Sequence, residues 1–141
     1  MLLHRGVHLD TTACPLCNEV LETSGHLMLH CSFTFKLWDY FLSSMCIPWT
    51  LPGTVLQLLA AWDNNVLTGK CKEIWKMLHF AIVWNVWNER NLRVFGGRPK
   101  DVEEVIDLVK QSLILWSCDS NTFQGVDSSQ VIHNWEAVIH N

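Results

Sequence analysis

Apolar positions in this chain recur at helical rather than strand spacing. From Leu27 onward, Phe33, Leu37, Trp38, Phe41 and Leu42 recur at helical spacing, which predicts a helix reaching about Met45. Thr23 and Ser24 stand ahead of it as N-caps, and Pro48 with Pro52-Gly53 ends it. A short helix is expected over residues 55–62, followed by a loop at Asp63-Asn64-Asn65. The longest helix should run from about Lys70 to Leu92, stopped by Gly96-Gly97, with Pro99 forbidding resumption there. Asp101 then caps an amphipathic helix. Its stripe is Val102, Val105, Ile106, Val109, Leu113 and Trp116, with Glu103, Glu104 and Lys110 on the other side. Residues 118–129 read as a polar linker, and a last short helix takes in Val131, Trp135 and Val138. No alternating pattern of strand period and no Gly-rich phosphate loop interrupts this series, so the fold class is mainly α.

Composition turns this pattern into a folded domain. Of 141 residues, 49% are apolar and eight are tryptophan, too heavy an aromatic load for a disordered chain. The apolar run over residues 74–87 contains Lys76, His79 and Asn85 and is shorter than the roughly 20 residues a bilayer demands. It is expected to be a helix buried on most sides, and no membrane partner is expected. Net charge is only −4 but unevenly placed: residues 1–69 hold two basic and five acidic groups, 70–100 seven and two, 101–141 one and seven. The basic middle stretch motivates weak, salt-sensitive contact with RNA or DNA through Arg90, Arg93, Arg98 and Lys100, with Trp84 and Trp87 as stacking faces. The competing expectation, favoured by the continuous apolarity, is that these two tryptophans belong to the core.

The most specific chemistry lies near the N-terminus. Cys14-Pro15-Leu16-Cys17 is followed by His26 and Cys31, so four soft-metal ligands occur within eighteen residues. A two-residue gap lets both thiolates of a tight knuckle face one ion, and a second element closes the tetrahedral shell. On spacing alone His30, one turn after His26, competes with Cys31 for the fourth position. A filled shell has no open position for water or substrate, so one structural Zn2+ is expected and no catalysis. The N-terminus, broken early by Arg5 and His8, resembles no secretory signal. An intracellular, reducing setting follows as an expectation, the nucleus included, and it favours metal ligation over disulfides. Cys46, Cys71 and Cys118 lie far apart and read as small hydrophobes.

Three blocks in this order resemble the zinc-binding domain that follows the reverse transcriptase region of plant LINE-type (non-LTR) retrotransposons. They are Arg5-Gly6-Val7 ahead of the Cys pair; Glu22-Thr23-Ser24-Gly25-His26-Leu27 running on to Cys31; and Trp84-Asn85-Val86-Trp87-Asn88-Glu89-Arg90-Asn91 with Val94-Phe95. The resemblance implies Cys14, Cys17, His26 and Cys31 as ligands and prefers Cys31 to His30. It also implies a truncated start, since the family's upstream helical stretch and its catalytic polymerase region have no counterpart here. On this basis the expected organisation is a zinc-binding-like domain over 1–97, an amphipathic helix over 98–117 packed on it, and a polar linker with a short helix over 118–141. The expected function is a non-catalytic zinc module with auxiliary nucleic-acid binding or assembly with retroelement proteins. The alternatives are a Trp-rich module that docks another protein, and a relic fragment without selected function.

Overall fold

The computed structural model describes residues 13–47, 50–63 and 67–140. The Arg5-Gly6-Val7 block, Pro48 and the Asn64-Asn65 loop lie outside them. Within the described residues the chain is helical, with one isolated antiparallel bridge between Ala13 and Leu21 and no strand.

A π-helical turn, His26–His30, precedes α1, Ser32–Ser44. Thr23 acts as a cap, its Oγ1 accepting the His26 N–H at 3.1 Å. The expected single helix is thus broken at Cys31, which has extended geometry (ψ 136°) and donates its N–H to the His26 carbonyl five residues back at 2.6 Å. Such one-turn π segments concentrate at functional sites. Next come α2, Val55–Ala61, and α3, Gly69–Val94. Helix α3 ends at Gly96, whose φ of +83° suits only glycine without strain. At Gly97 a Cβ would come within 2.5 Å of the Leu92 side chain. This turn reverses the chain into α4, Val102–Trp116, where Asp101 and Glu104 form a reciprocal capping box. Two short helices follow, α5 (Ser128–His133) and α6 (Trp135–Ile139), separated at Asn134.

Helix α4 packs along α3, and their register is tied by Asn85 Nδ2 donating to Ser112 Oγ at 3.0 Å. The centre of the core is aromatic. Trp62 stacks on Trp75 with centroids 3.8 Å apart and planes 3° from parallel, and each indole N–H donates to the other's backbone carbonyl at 2.6 Å. Trp38 meets Trp62 edge-on at 5.7 Å and donates to the Met28 carbonyl at 2.8 Å, linking the π-helical turn to the core. Each of these three indole N–H groups therefore has an acceptor, which a large ring needs when it leaves water.

Three sequence expectations change. First, the C-terminal segment after the turns of 118–127 is anchored in the core. Thr122 is buried, and Val131, Trp135, Val138 and Ile139 join the same core as Cys14 and Trp38. Trp135 Nε1 donates to Ser44 Oγ at 2.9 Å and Lys70 Nζ to the Val138 carbonyl at 3.0 Å. Second, Lys110 is buried rather than solvated. Its ammonium donates to the Ile132 carbonyl at 2.9 Å and lies over the Tyr40 and Trp135 rings at 4.9 and 5.6 Å. Burial holds its pKa below the usual lysine value. Third, Trp84 and Trp87 are not core residues. They are 53% and 41% exposed and share an outward face of α3 with Phe80, because Ile74, Leu78, Ile82 and Val86 already occupy the buried face.

Candidate metal centre

The knuckle is closed by its own backbone hydrogen bonds. Cys14 N–H donates to the Val20 carbonyl at 2.8 Å and Asn18 N–H to the Cys14 carbonyl at 2.7 Å, closing a tight loop. Asn18 takes the left-handed conformation (φ 58°) that this turn requires and that asparagine tolerates better than most residues. Cys14 and Cys17 come from this loop, while His26 and Cys31 come from the two ends of the π-helical turn.

The four side chains converge. Their ligand atoms, three Sγ and one imidazole nitrogen, all lie within 4.8 Å of one another. Cys14 Sγ is 3.8 Å from Cys31 Sγ, and Cys17 Sγ is 3.3 Å from His26 Nε2. A tetrahedral zinc shell, with Zn–S about 2.3 Å and Zn–N about 2.0 Å, separates two thiolates by about 3.8 Å and a thiolate from an imidazole nitrogen by about 3.5 Å. The donor set fits such an ion in number, type and spacing. His30 is excluded from it: it is exposed and its Nε2 donates to the Gly53 carbonyl at 3.3 Å. The choice between His30 and Cys31, open on spacing alone, falls to Cys31 because the break after His30 turns Cys31 inward.

The thiols are unequally prepared for ligation. Burial pushes Cys17 up, but the backbone N–H of Glu19, the His26 ring, the Val20 N–H and Cys31 outweigh it and bring its pKa down to about 6. Cys31 is pushed up to about 12 by burial and the nearby Cys14 sulfur, against the N–H groups of Phe33 and Thr34. The two cysteines share one arrangement: each has the N–H groups two and three residues ahead favouring its thiolate form. Cys31 does so at the positive start of α1. A dication supplies the charge that would let Cys31 release its proton.

No protein family, curated protein or solved structure matches this chain. The retroelement resemblance therefore rests on the sequence blocks alone.

The four basic residues expected to meet nucleic acid are engaged internally. Arg90 donates Nε and Nη2 to the two carboxylate oxygens of Glu22 at 3.0 and 2.9 Å and lies over Trp87 at 5.3 Å. Arg93 donates Nε to Glu89 at 2.8 Å, Nη2 to the Lys100 carbonyl at 2.8 Å, and Nη1 to the Pro15 and Leu16 carbonyls at 3.3 and 3.1 Å. Lys100 Nζ sits 3.6 Å from Glu89, and exposed Arg98 pairs with Glu104 at 2.8 Å. Side-chain exposure of Arg90 and Arg93 is only 13% and 14%, so neither offers a free guanidinium to phosphate. Glu89, buried on α3 among basic and polar neighbours, is the residue that sequence reasoning passed over. The signal was there: one of only two acids within the basic stretch, four residues before Arg93. Among the described residues no helix is long and apolar enough to cross a membrane.

Proposed function

We propose that this chain is a zinc-stabilised, non-catalytic interaction module, related in design to the zinc-binding domain of plant LINE-type reverse transcriptases. One observation carries the reading: three cysteine sulfurs and one imidazole nitrogen converge within 4.8 Å. Four protein ligands complete a tetrahedron, which leaves the ion no open position for substrate, so its role is to hold the fold. The family assignment draws its support from the order and spacing of the sequence blocks.

A specific observation bears on what the module binds. Phe80, Trp84 and Trp87 present an exposed aromatic face on α3, whereas Arg90 and Arg93 are committed to Glu22, Glu89 and the knuckle. This balance favours a protein partner met through apolar contact over a nucleic acid met through phosphates. Contact with RNA or DNA is the second reading, and it would fall mainly to Arg98 and Lys100.

Metal analysis of the purified protein tests the first statement. The expected result is one equivalent of zinc, lost in Cys14→Ser and His26→Ala variants; a metal-free wild type that folds normally would overturn it. Salt separates the two partner readings. Binding to single-stranded RNA that weakens steeply between low and moderate ionic strength would restore the nucleic-acid reading, whereas an aromatic interface responds little.

A further inference from the structure

The zinc reading above leaves one arrangement without a role: two arginines one turn apart on α3, both turned toward the knuckle rather than to solvent. We propose that Arg90 and Arg93, braced by Glu22 and Glu89, are positioning residues for the metal centre, forming a clasp that holds its two backbone arms at ligating distance. This rests on the zinc reading and extends it.

The geometry divides the work between the arms. Arg93 reaches the first arm, binding the carbonyls of Pro15 and Leu16, the two residues between Cys14 and Cys17. Arg90 reaches the second arm through a bidentate pair with Glu22, which follows the Ala13–Leu21 bridge and leads into the His26 turn. Glu89 aims Arg93. It is only 2% exposed, it accepts the Arg93 Nε and the Lys100 N–H at 2.8 and 3.0 Å, and Lys100 Nζ stands near its other oxygen. Arg93 also lies over the Phe33 ring at 4.9 Å, in the first turn of α1.

Chemistry favours guanidinium here. Three thiolates and one dication leave the filled site with a net negative charge, which a nearby fixed cation complements. The planar fork can grip two carbonyls and a carboxylate together, and a lysine ammonium cannot reproduce that geometry. Because α3 makes these contacts, metal affinity and the docking of the knuckle on α3 should be reciprocally linked. The clasp also accounts for the third sequence block: Glu89 and Arg90 lie within it, and Arg93 follows one turn later.

The test is zinc affinity of the full chain, by competition with a chromophoric chelator, beside the visible bands of the cobalt-substituted protein. Arg93→Lys should bind zinc about 10–100-fold more weakly, the usual consequence of losing an outer-shell partner, with altered cobalt bands. Arg90→Gln should weaken binding in the same direction. The double change Glu22→Arg with Arg90→Glu should recover affinity lost in Arg90→Glu alone. Lys76→Ala, exposed on the same helix, serves as the control. Arg93→Lys and Arg90→Gln variants that fold and bind zinc within about twofold of wild type would sink the clasp while leaving the zinc reading intact. A wild type that binds no zinc would instead remove the zinc reading itself. The conservative variants decide the matter even where Arg93→Ala fails to fold.

Discussion

At the residue scale, buried polar groups carry most of the unexpected information. Glu89 and Lys110 are charged residues in the interior, and each has counterparts: Glu89 Oε2 accepts from Arg93 and the Lys100 backbone while its Oε1 has only the Lys100 ammonium 3.6 Å away, and Lys110 has the Ile132 carbonyl and two aromatic rings. Unmatched, either would be strongly unfavourable. His79 has less support still. It is buried against Trp62, with centroids 4.6 Å apart, and its Nδ1 has no hydrogen-bond partner among the described residues. Burial holds its pKa below the ordinary histidine value, only partly opposed by the Asp63 carboxylate. The unfolded chain therefore takes up a proton below about pH 6.5 that the folded protein refuses, and stability falls as pH drops through that range. The loss should approach, at most, about 1.4 kcal/mol per pH unit. His79→Phe removes this contribution while keeping a ring against Trp62. Urea unfolding from roughly pH 7.5 to roughly pH 5.5 should show wild type losing more stability than the variant, and parallel losses would refute the assignment.

At the element scale, helix formation was largely legible and helix orientation was not. The 3.6-residue period, the Asp101 cap and the Gly96-Gly97 stop place α3 and α4 close to where they occur, because those signals are local. Which face of α3 is buried depends on its neighbours, and an apolar run that continues all round the helix cannot state it. That is why Trp84 and Trp87, expected inside, lie outside. The elements are joined instead through Trp62, at the end of α2, and Trp75 in α3. Trp62→Ala removes a stacked ring, an indole hydrogen bond and the edge contact to Trp38. It should lower unfolding free energy by about 3–5 kcal/mol, as large-to-small core substitutions do. Denaturant unfolding of the metal-loaded protein checks this; a loss under about 1 kcal/mol would mean the stack is not the hub of the core.

At the scale of the molecule, the candidate metal centre and the helical body are one structure. Cys14, Cys31 and Leu29 are fully buried within the same core as Trp38 and Phe41. Removing the ion should therefore do more than loosen a loop. Chelation at neutral pH should change the near-UV circular dichroism of Trp38, whose indole is bonded to Met28 in the π-helical turn. It should also lower Tm by roughly 10 °C or more. Identical spectra and melting with and without chelator would show that the cluster does not staple the fold.

What the chain determined by itself were the features set by neighbours in sequence: helical class, caps and stops, and a Cys-x-x-Cys knuckle with a later His and Cys. Spacing alone left His30 and Cys31 as rivals, and only the π-helical turn, which ends by turning Cys31 inward, separated them. Tertiary structure also decided the fate of the charges. Arg90 and Glu22, 68 residues apart, pair only once α3 lies against the knuckle, as do Arg93 and the Pro15 carbonyl 78 residues away. A local count sees a basic stretch over residues 70–100. The fold spends two of its arginines inside, because a buried carboxylate and unpaired knuckle carbonyls attract a guanidinium more strongly there than in water.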